Sequence, residues 1–230
     1  MINELSNIVQ GIVAEMDCTI QGEFIEGGTR TETCKTKWAR VGKTVMDSND
    51  VVFKITELES DEYIVGETEP LTDPVTDLNG LIHLNAPLFI HGTQKATNLE
   101  WTKISNNVTF KTPIIWLLGS LNFKQFGRES TIDIESALRI FFLDETDIVN
   151  YYTADHISNV VYPMEQLVKE FIDTINRDRK FKTVESWEII EFSRFGVEQE
   201  NGMFQNILDA NLSGVELRIT LTKYKENCKC

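Results

Sequence analysis

The sequence predicts an α+β fold, an antiparallel sheet covered by two amphipathic helices, with an all-β insert after the first helix. Two segments carry one helical apolar stripe each: Leu5, Ile8, Val9, Ile12, Val13 and Met16, then Met164, Leu167, Val168, Phe171, Ile172 and Ile175. Between 17 and 109 the pattern changes to short runs rich in β-branched and aromatic residues, broken by Gly, Pro, Asn and Asp. Further on, strands follow strands without a regular helix between them, which favours an antiparallel arrangement over a doubly wound parallel sheet. The expected organisation is a core domain made of 1–16 and 110–230 and a β-rich insert domain of 17–109.

In order, the insert offers strands at Thr19 to Glu26, Thr33 to Val41, Val51 to Leu58, Tyr63 to Val65 and Leu81 to Leu84. Turns are expected at Gly27 and Gly28 and from Asp47 to Asp50. Two prolines and repeated aspartates make Thr68 to Gly80 the longest loop, and long ordered loops are often where contacts are made.

The core resumes with a dense apolar strand at Phe110 to Leu118, a connecting loop from Gly119 to Thr131, and a second strand at Ala137 to Leu143 that is apolar on both faces. The helix carrying the second stripe is expected to start near Val160, with Thr153 to Ser158 leading in and Pro163 tolerated in the first turn. Strands at Val184 to Phe195 and Val215 to Tyr224 close the chain. In the last, Leu217, Ile219 and Leu221 alternate with Glu216, Arg218, Thr220 and Thr222, the pattern of a strand packed on one face and wet on the other. The segment from Asn201 to Leu212 reads either as a short helix or as a loop ending in a turn at Ser213 and Gly214. Both helices are expected on one face of the sheet, leaving the other for a neighbour or for solvent.

With 230 residues, of which 41% are hydrophobic and 25% charged, the chain belongs with folded globular proteins of one or two domains. No apolar run approaches the roughly 20 residues of a membrane span, and the first residues lack the basic and apolar regions of a secretory signal. A non-membrane protein that stays where it is made is the expectation. Cys18, Cys34, Cys228 and Cys230 are read as free thiols, because their spacing lacks the two tight pairs of a zinc site. Lys and Arg total 22 against 36 Asp and Glu, a formal charge of −14 that repels a phosphate backbone and argues against sequence-specific DNA binding.

A phosphate-binding loop, a dinucleotide fingerprint, a nucleophile elbow and a zinc-protease helix are all missing from the sequence. The most suggestive polar cluster is Asp144, Glu145, Thr146 and Asp147 followed by Asp155 and His156. Its oxygens suit Mg²⁺ or Ca²⁺, and Asp with His suits acid/base chemistry, but Asp and Thr are also ordinary helix caps. His83 and His91 have no serine or cysteine beside them and read as ordinary strand or loop residues. Trp38, Trp101, Trp116 and Trp187 are scattered, as expected of core residues, with room for one to anchor an interface. No catalytic, cofactor-binding or metal-binding residue is therefore assigned, and the chain is read as a non-enzyme without a cofactor.

The succession of Pro113 to Leu118, Ala137 to Asp147, Asp155 and His156, and Tyr162 to Leu167 resembles structural proteins of tailed bacteriophages. It is similar to neck proteins of the tail-completion or tail-terminator type, as in crAss-like and related phages of Bacteroidota, over Phe110 to Thr222. The resemblance implies a virion protein assembled in the host cytoplasm as a homo-oligomeric ring between portal and tail, without an active site, through which the genome passes. A negative lumen would then keep DNA from adhering during passage. Val215 to Tyr224 and the loop from Thr68 to Gly80 become the expected contacts with neighbouring subunits, while the insert departs from the minimal terminator plan. Two other classes stand beside this one: an intracellular ligand- or peptide-binding module, and a metal-dependent hydrolase using Asp144, Asp147 and His156.

Overall fold

A pair of long antiparallel strands, Asp133–Glu145 and Leu212–Lys223, organises the core sheet. The computed structural model describes residues 2–16, 18–25, 28–32, 44–47, 52–59, 63–68, 81–84, 87–104, 111–119, 122–126, 133–147, 149–193, 195, 197–200, 203–206, 208 and 210–223. In chain order these form α1 (Ile2–Ala14), β1 (Cys18–Ile25), β2 (Gly28–Glu32), β3 (Thr44–Asp47), β4 (Val52–Glu59), β5 (Tyr63–Thr68) and β6 (Leu81–Leu84). Then come β7 (Leu88–Gly92), α2 (Gln94–Ile104), β8 (Ile114–Leu118), β9 (Asn122–Phe126), β10 (Asp133–Glu145) and α3 (Thr153–His156). A π-helical turn (Ile157–Val161), α4 (Tyr162–Asp178), β11 (Trp187–Phe192), β12 (Val197–Glu200), β13 (Met203–Asn206) and β14 (Leu212–Lys223) complete the chain.

β1 to β6 close a barrel in the order β1, β2, β5, β4, β3, β6, and closure leaves no strand edge unpaired. The strand expected at Thr33 to Val41 and the loop from 69 to 80 lie outside the described residues. The last part of the expected insert does not join the barrel: β7 is a strand of the core sheet and α2 is a helix.

The core sheet runs β11, β14, β10, β8, β7, with β9 also on β10, and it is mixed rather than antiparallel throughout. β7 and β8 are parallel, Leu88 opposite Ile114 through Gly92 opposite Leu118, because α2 between them returns the chain to the starting end of the sheet. The stretch read as a connecting loop after Gly119 contains β9. Since both β8 and β9 pair antiparallel with β10, at Leu117 opposite Ile140 and at Asn122 opposite Ala137, they act as one strand interrupted around Gly119. Gly119 sits there because its N–H reaches the Gly92 carbonyl at 2.8 Å, and a Cβ would lie 2.8 Å from the Gly92 carbonyl carbon and the Thr93 nitrogen.

α1 and α4 cover one face. All six apolar residues of the α4 stripe are buried with Leu5, Val9, Ile12, Val13 and Met16 of the first helical segment against Leu138, Ile140 and Phe142 of β10 and Val215, Leu217, Ile219 and Leu221 of β14. Helical structure begins earlier than expected, at Thr153, where the Tyr152 N–H donates to the Asp155 carboxylate at 2.9 Å. Pro163 consequently falls well inside the helical run. The π turn just ahead of it, where the Tyr162 N–H donates to the Ile157 carbonyl, widens the helix at the point where proline cannot donate.

The second face is not left free along its whole length. Trp101 of α2 packs with Ile90, Ile114, Trp116, Phe141, Leu143, Phe195, Leu208, Ala210 and Leu212, and three of these rings, Trp116, Phe141 and Phe195, meet with centroids 5.1 to 5.9 Å apart. The ambiguous segment before β14 supplies β13, which pairs with β12, and then Leu208 and Ala210 of this cap. The covering ends partway along the sheet. On β10, Phe141 and Leu143 are buried while Ala137 and Arg139 on the same face are exposed.

Ser213 and Gly214 are not a turn but the buried start of β14. Gly214 has φ +151°, and a Cβ there would stand 2.0 Å from the Phe142 carbonyl oxygen, so only glycine lets the two long strands approach. Gly214→Ala should lower stability by about 3 kcal/mol or more in chemical denaturation, combining backbone strain with a clash that neither strand can relieve alone. A loss below 1 kcal/mol would contradict this register.

Candidate functional site

The polar cluster read from the sequence is only partly assembled. Asp144 is fully buried and its Oδ1 accepts the Glu145 N–H at 2.8 Å. Asp147 instead closes a turn, with Oδ1 accepting the Val149 and Asn150 N–H groups at 3.0 and 3.1 Å and Oδ2 accepting the Asn150 amide at 2.6 Å. The Asn150 side chain and these backbone donors hold its carboxyl below the usual range. Among the described residues no three His, Cys, Asp or Glu side chains come together as a metal site.

His156 is drawn into a different group. Its Nδ1 lies 2.9 Å from the Thr146 hydroxyl and 3.5 Å from the Ser213 hydroxyl, and Tyr151 packs edge-on against the ring at 5.5 Å. Ser213 next to a histidine invites comparison with a nucleophile and base, but Ser213 is fully buried and donates its proton to the Ser193 carbonyl at 2.6 Å. The group ties together the ends of β10 and β11, the start of β14 and the last residue of α3. Sequence reasoning missed Ser213, whose partners are 20 and 57 residues away.

His91 lies in β7, where burial pushes its pKa down and Nε2 has no hydrogen-bond partner among the described residues. It does not join His156. His83 lies in β6 of the barrel. Of the tryptophans, Trp101 and Trp116 are core, whereas Trp187 is 43% exposed rather than packed away.

The more informative constellation lies on the uncovered half of the second face. Arg139 of β10 and Arg218 of β14 are directly opposite, a like-charge pair that ordinarily opposes strand pairing. Glu216, only 1% exposed, resolves the conflict: its Oε1 accepts from Arg139 Nε at 2.5 Å and from Arg218 Nε at 2.8 Å. Arg218 also reaches Glu188 of β11 at 3.4 Å, and the Arg139 guanidinium lies 5.7 Å from the Phe141 ring centre. The expectation that Glu216 faces water is therefore corrected, because two guanidiniums and the aromatic cap enclose it.

These arginines line an open depression of about 840 Å³, with Leu118, Ala137, Thr220 and Trp187 among its other walls. Both arginines use Nε for Glu216, and among the described residues no hydrogen bond takes the Nη groups of Arg139. Glu185 and Glu188 share the depression with the two half-exposed guanidiniums, so its polar lining is of mixed charge.

Comparison with protein-family models, curated proteins and solved structures finds no match to this chain. The α+β class is therefore defined by the fold itself, a mixed five-strand order flanked by helices with a closed barrel placed after α1.

Burial pushes the Glu216 carboxyl up, but the hydrogen bonds and charges of Arg139 and Arg218 outweigh it and hold the group below its ordinary value near 4.5. Its stabilisation is thus complete above that value and is lost as pH falls through the lower folded pKa. Glu216→Gln should cost about 1.5–3 kcal/mol at pH 7, the worth of hydrogen bonds to a charged group, and the gap from wild type should narrow in acid. Denaturant unfolding at both pH values checks this; a gap independent of pH would contradict the assignment.

Proposed function

We propose that this chain is a virion structural protein of a tailed bacteriophage that forms a homo-oligomeric ring in the neck, between portal and tail, and provides a channel for DNA. The observation carrying this reading is the sheet's pair of dissimilar edges. β7 and β11 lie at opposite sides of the core sheet, each paired on one side only among the described residues, so one protomer offers two different edges to two neighbours. The final strand, expected from the sequence to make such contacts, cannot add a strand, because β14 is already paired with β10 and β11. The formal charge of −14 fits a channel wall that DNA passes without adhering.

A second reading, an intracellular module that binds a ligand or peptide, is supported by the open depression beside Trp187. A metal-dependent hydrolase using Asp144, Asp147 and His156 has less support, since the first is buried against backbone and the second closes its own turn. Light scattering with negative-stain imaging of the purified chain separates the first two readings. The ring reading predicts closed particles of one diameter; a monomer at every concentration would contradict it and favour the binding module.

A further inference from the structure

The outward main-chain groups at the two sides of the core sheet have a definite phase. In β7 the Leu88 N–H donates to the Pro113 carbonyl at 3.0 Å, and the Gly92 carbonyl accepts from the Gly119 N–H at 2.8 Å. Leu88, Ile90 and Gly92 thus turn their polar groups to β8, and alternation directs those of Phe89 and His91 away from the sheet. In β14 the Leu212 and Thr222 carbonyls accept from the Phe195 and Lys182 N–H groups, on the β11 side, at 2.7 and 2.8 Å. The even-numbered residues of β14 therefore bond β11 through Glu188, Ile190 and Phe192, which leaves Trp187, Ile189 and Glu191 pointing outward. Among the described residues neither outward set has a strand beside it.

The two edges are complementary in direction, layer and side chains. β11 is antiparallel to β14, β14 to β10 and β10 to β8, while β8 is parallel to β7, so β7 and β11 run opposite ways. A second copy turned about an axis along the strands brings its β11 beside β7 in antiparallel orientation. Phe89 and Ile189, both outward in phase, each pack partly buried against the core under α1 and α4. Pairing them keeps the helices of both copies on the same side of the sheet. Phe89 opposite Ile189 is an aromatic and β-branched pair, and the same register sets His91 opposite Trp187, whose side is 43% exposed, and Leu88 opposite Ile190. A shift of two residues sets Phe89 against Glu191 in one direction and carries His91 past the start of β11 in the other. β7, Leu-Phe-Ile-His-Gly, has no Lys, Arg, Asp, Glu or Pro to discourage pairing.

We propose that β7 of one copy pairs with β11 of the next in an antiparallel ladder, Phe89 opposite Ile189 and His91 opposite Trp187, making the core sheet continuous from copy to copy. Each of these two pairs exchanges both of its N–H to carbonyl bonds. The contact joins two different edges, so it is head-to-tail and closes by rotation, with α1 and α4 of every copy in one layer. It rests on the ring reading and supplies the register by which that ring is held.

Cysteine pairing in the full-length chain tests the register. In His91→Cys with Trp187→Cys the two thiols of one protomer lie on opposite edges, roughly 19 Å apart at ~4.8 Å per strand, too far for a disulfide within one copy. Mild oxidation should give a ladder of covalent oligomers on a non-reducing denaturing gel, with the 91–187 linkage identified by peptide mass spectrometry and so separated from bonds of the four native cysteines. His91→Cys with Glu191→Cys, out of register, should link at least about tenfold less. Wild type supplies a second measurement: the amides of Phe89, His91, Trp187 and Ile189 should exchange at least about tenfold more slowly in the oligomer than in the diluted monomer, while Ile190, already bonded to β14, changes less. Closed rings whose four edge amides stay unprotected would overturn this contact, whatever the variants do, and leave the ring reading standing. A 91–191 linkage exceeding the 91–187 one, or 91–91 dimers of His91→Cys alone, would overturn the register. A wild-type chain that stays monomeric at all concentrations would overturn both the contact and the ring.

Discussion

The twelve-residue ladder between β10 and β14 is the constraint on which the rest of the fold depends. It runs from Ile134 opposite Lys223 to Glu145 opposite Leu212, and the helices and neighbouring strands of the core sheet pack on it or pair with it. On one face its alternate residues carry the two amphipathic helices; at its sides it takes β11 and the interrupted β8 and β9. Because side chains alternate with period two, a shift of one residue would send the apolar row of β14 to the wrong face. Gly214 holds the register at the buried end, where no other residue fits against the Phe142 carbonyl.

The same ladder is asymmetric along its length, and that asymmetry is the source of its chemistry. Toward Leu143 and Leu212 it is buried on both faces by aromatic and aliphatic side chains, while toward Ala137 and Thr220 one face is open. Glu216 stands at the boundary. A lone carboxylate there would be costly to bury, and two opposed arginines alone would repel, but the three together satisfy one another at the edge of the aromatic cap. The result is a fixed guanidinium pair on a chain whose overall charge is strongly negative.

Much of the helix-covered face was legible in the sequence, because the stripes of α1 and α4 and the alternation of Leu217, Ile219 and Leu221 are local patterns set by the same burial. The parallel pair was not legible. α2 has a weak apolar stripe, with Thr97 and Trp101 as its buried residues, so Gln94 to Ile104 reads like the polar loops around it. β9 was hidden for a related reason: Asn122 to Phe126 lacks alternation, and its pairing is set by β10 rather than by its own composition. Of the site, residue type alone singles out Asp147 and His156, while alternation places Glu216 toward solvent. Its burial depends on Arg139, 77 residues away, and on the aromatic cap, neither of which a local pattern contains.

Amide hydrogen exchange along the two long strands tests the central role of this ladder most directly. Exchange should be slowest at Ile140 to Leu143 and at Val215 to Leu217, where both faces are covered, and should quicken toward Ile134 and Lys223. Uniform protection along β10 and β14, or slower exchange in α1 and α4 than in either strand, would contradict an architecture built on the doubly buried end of one ladder.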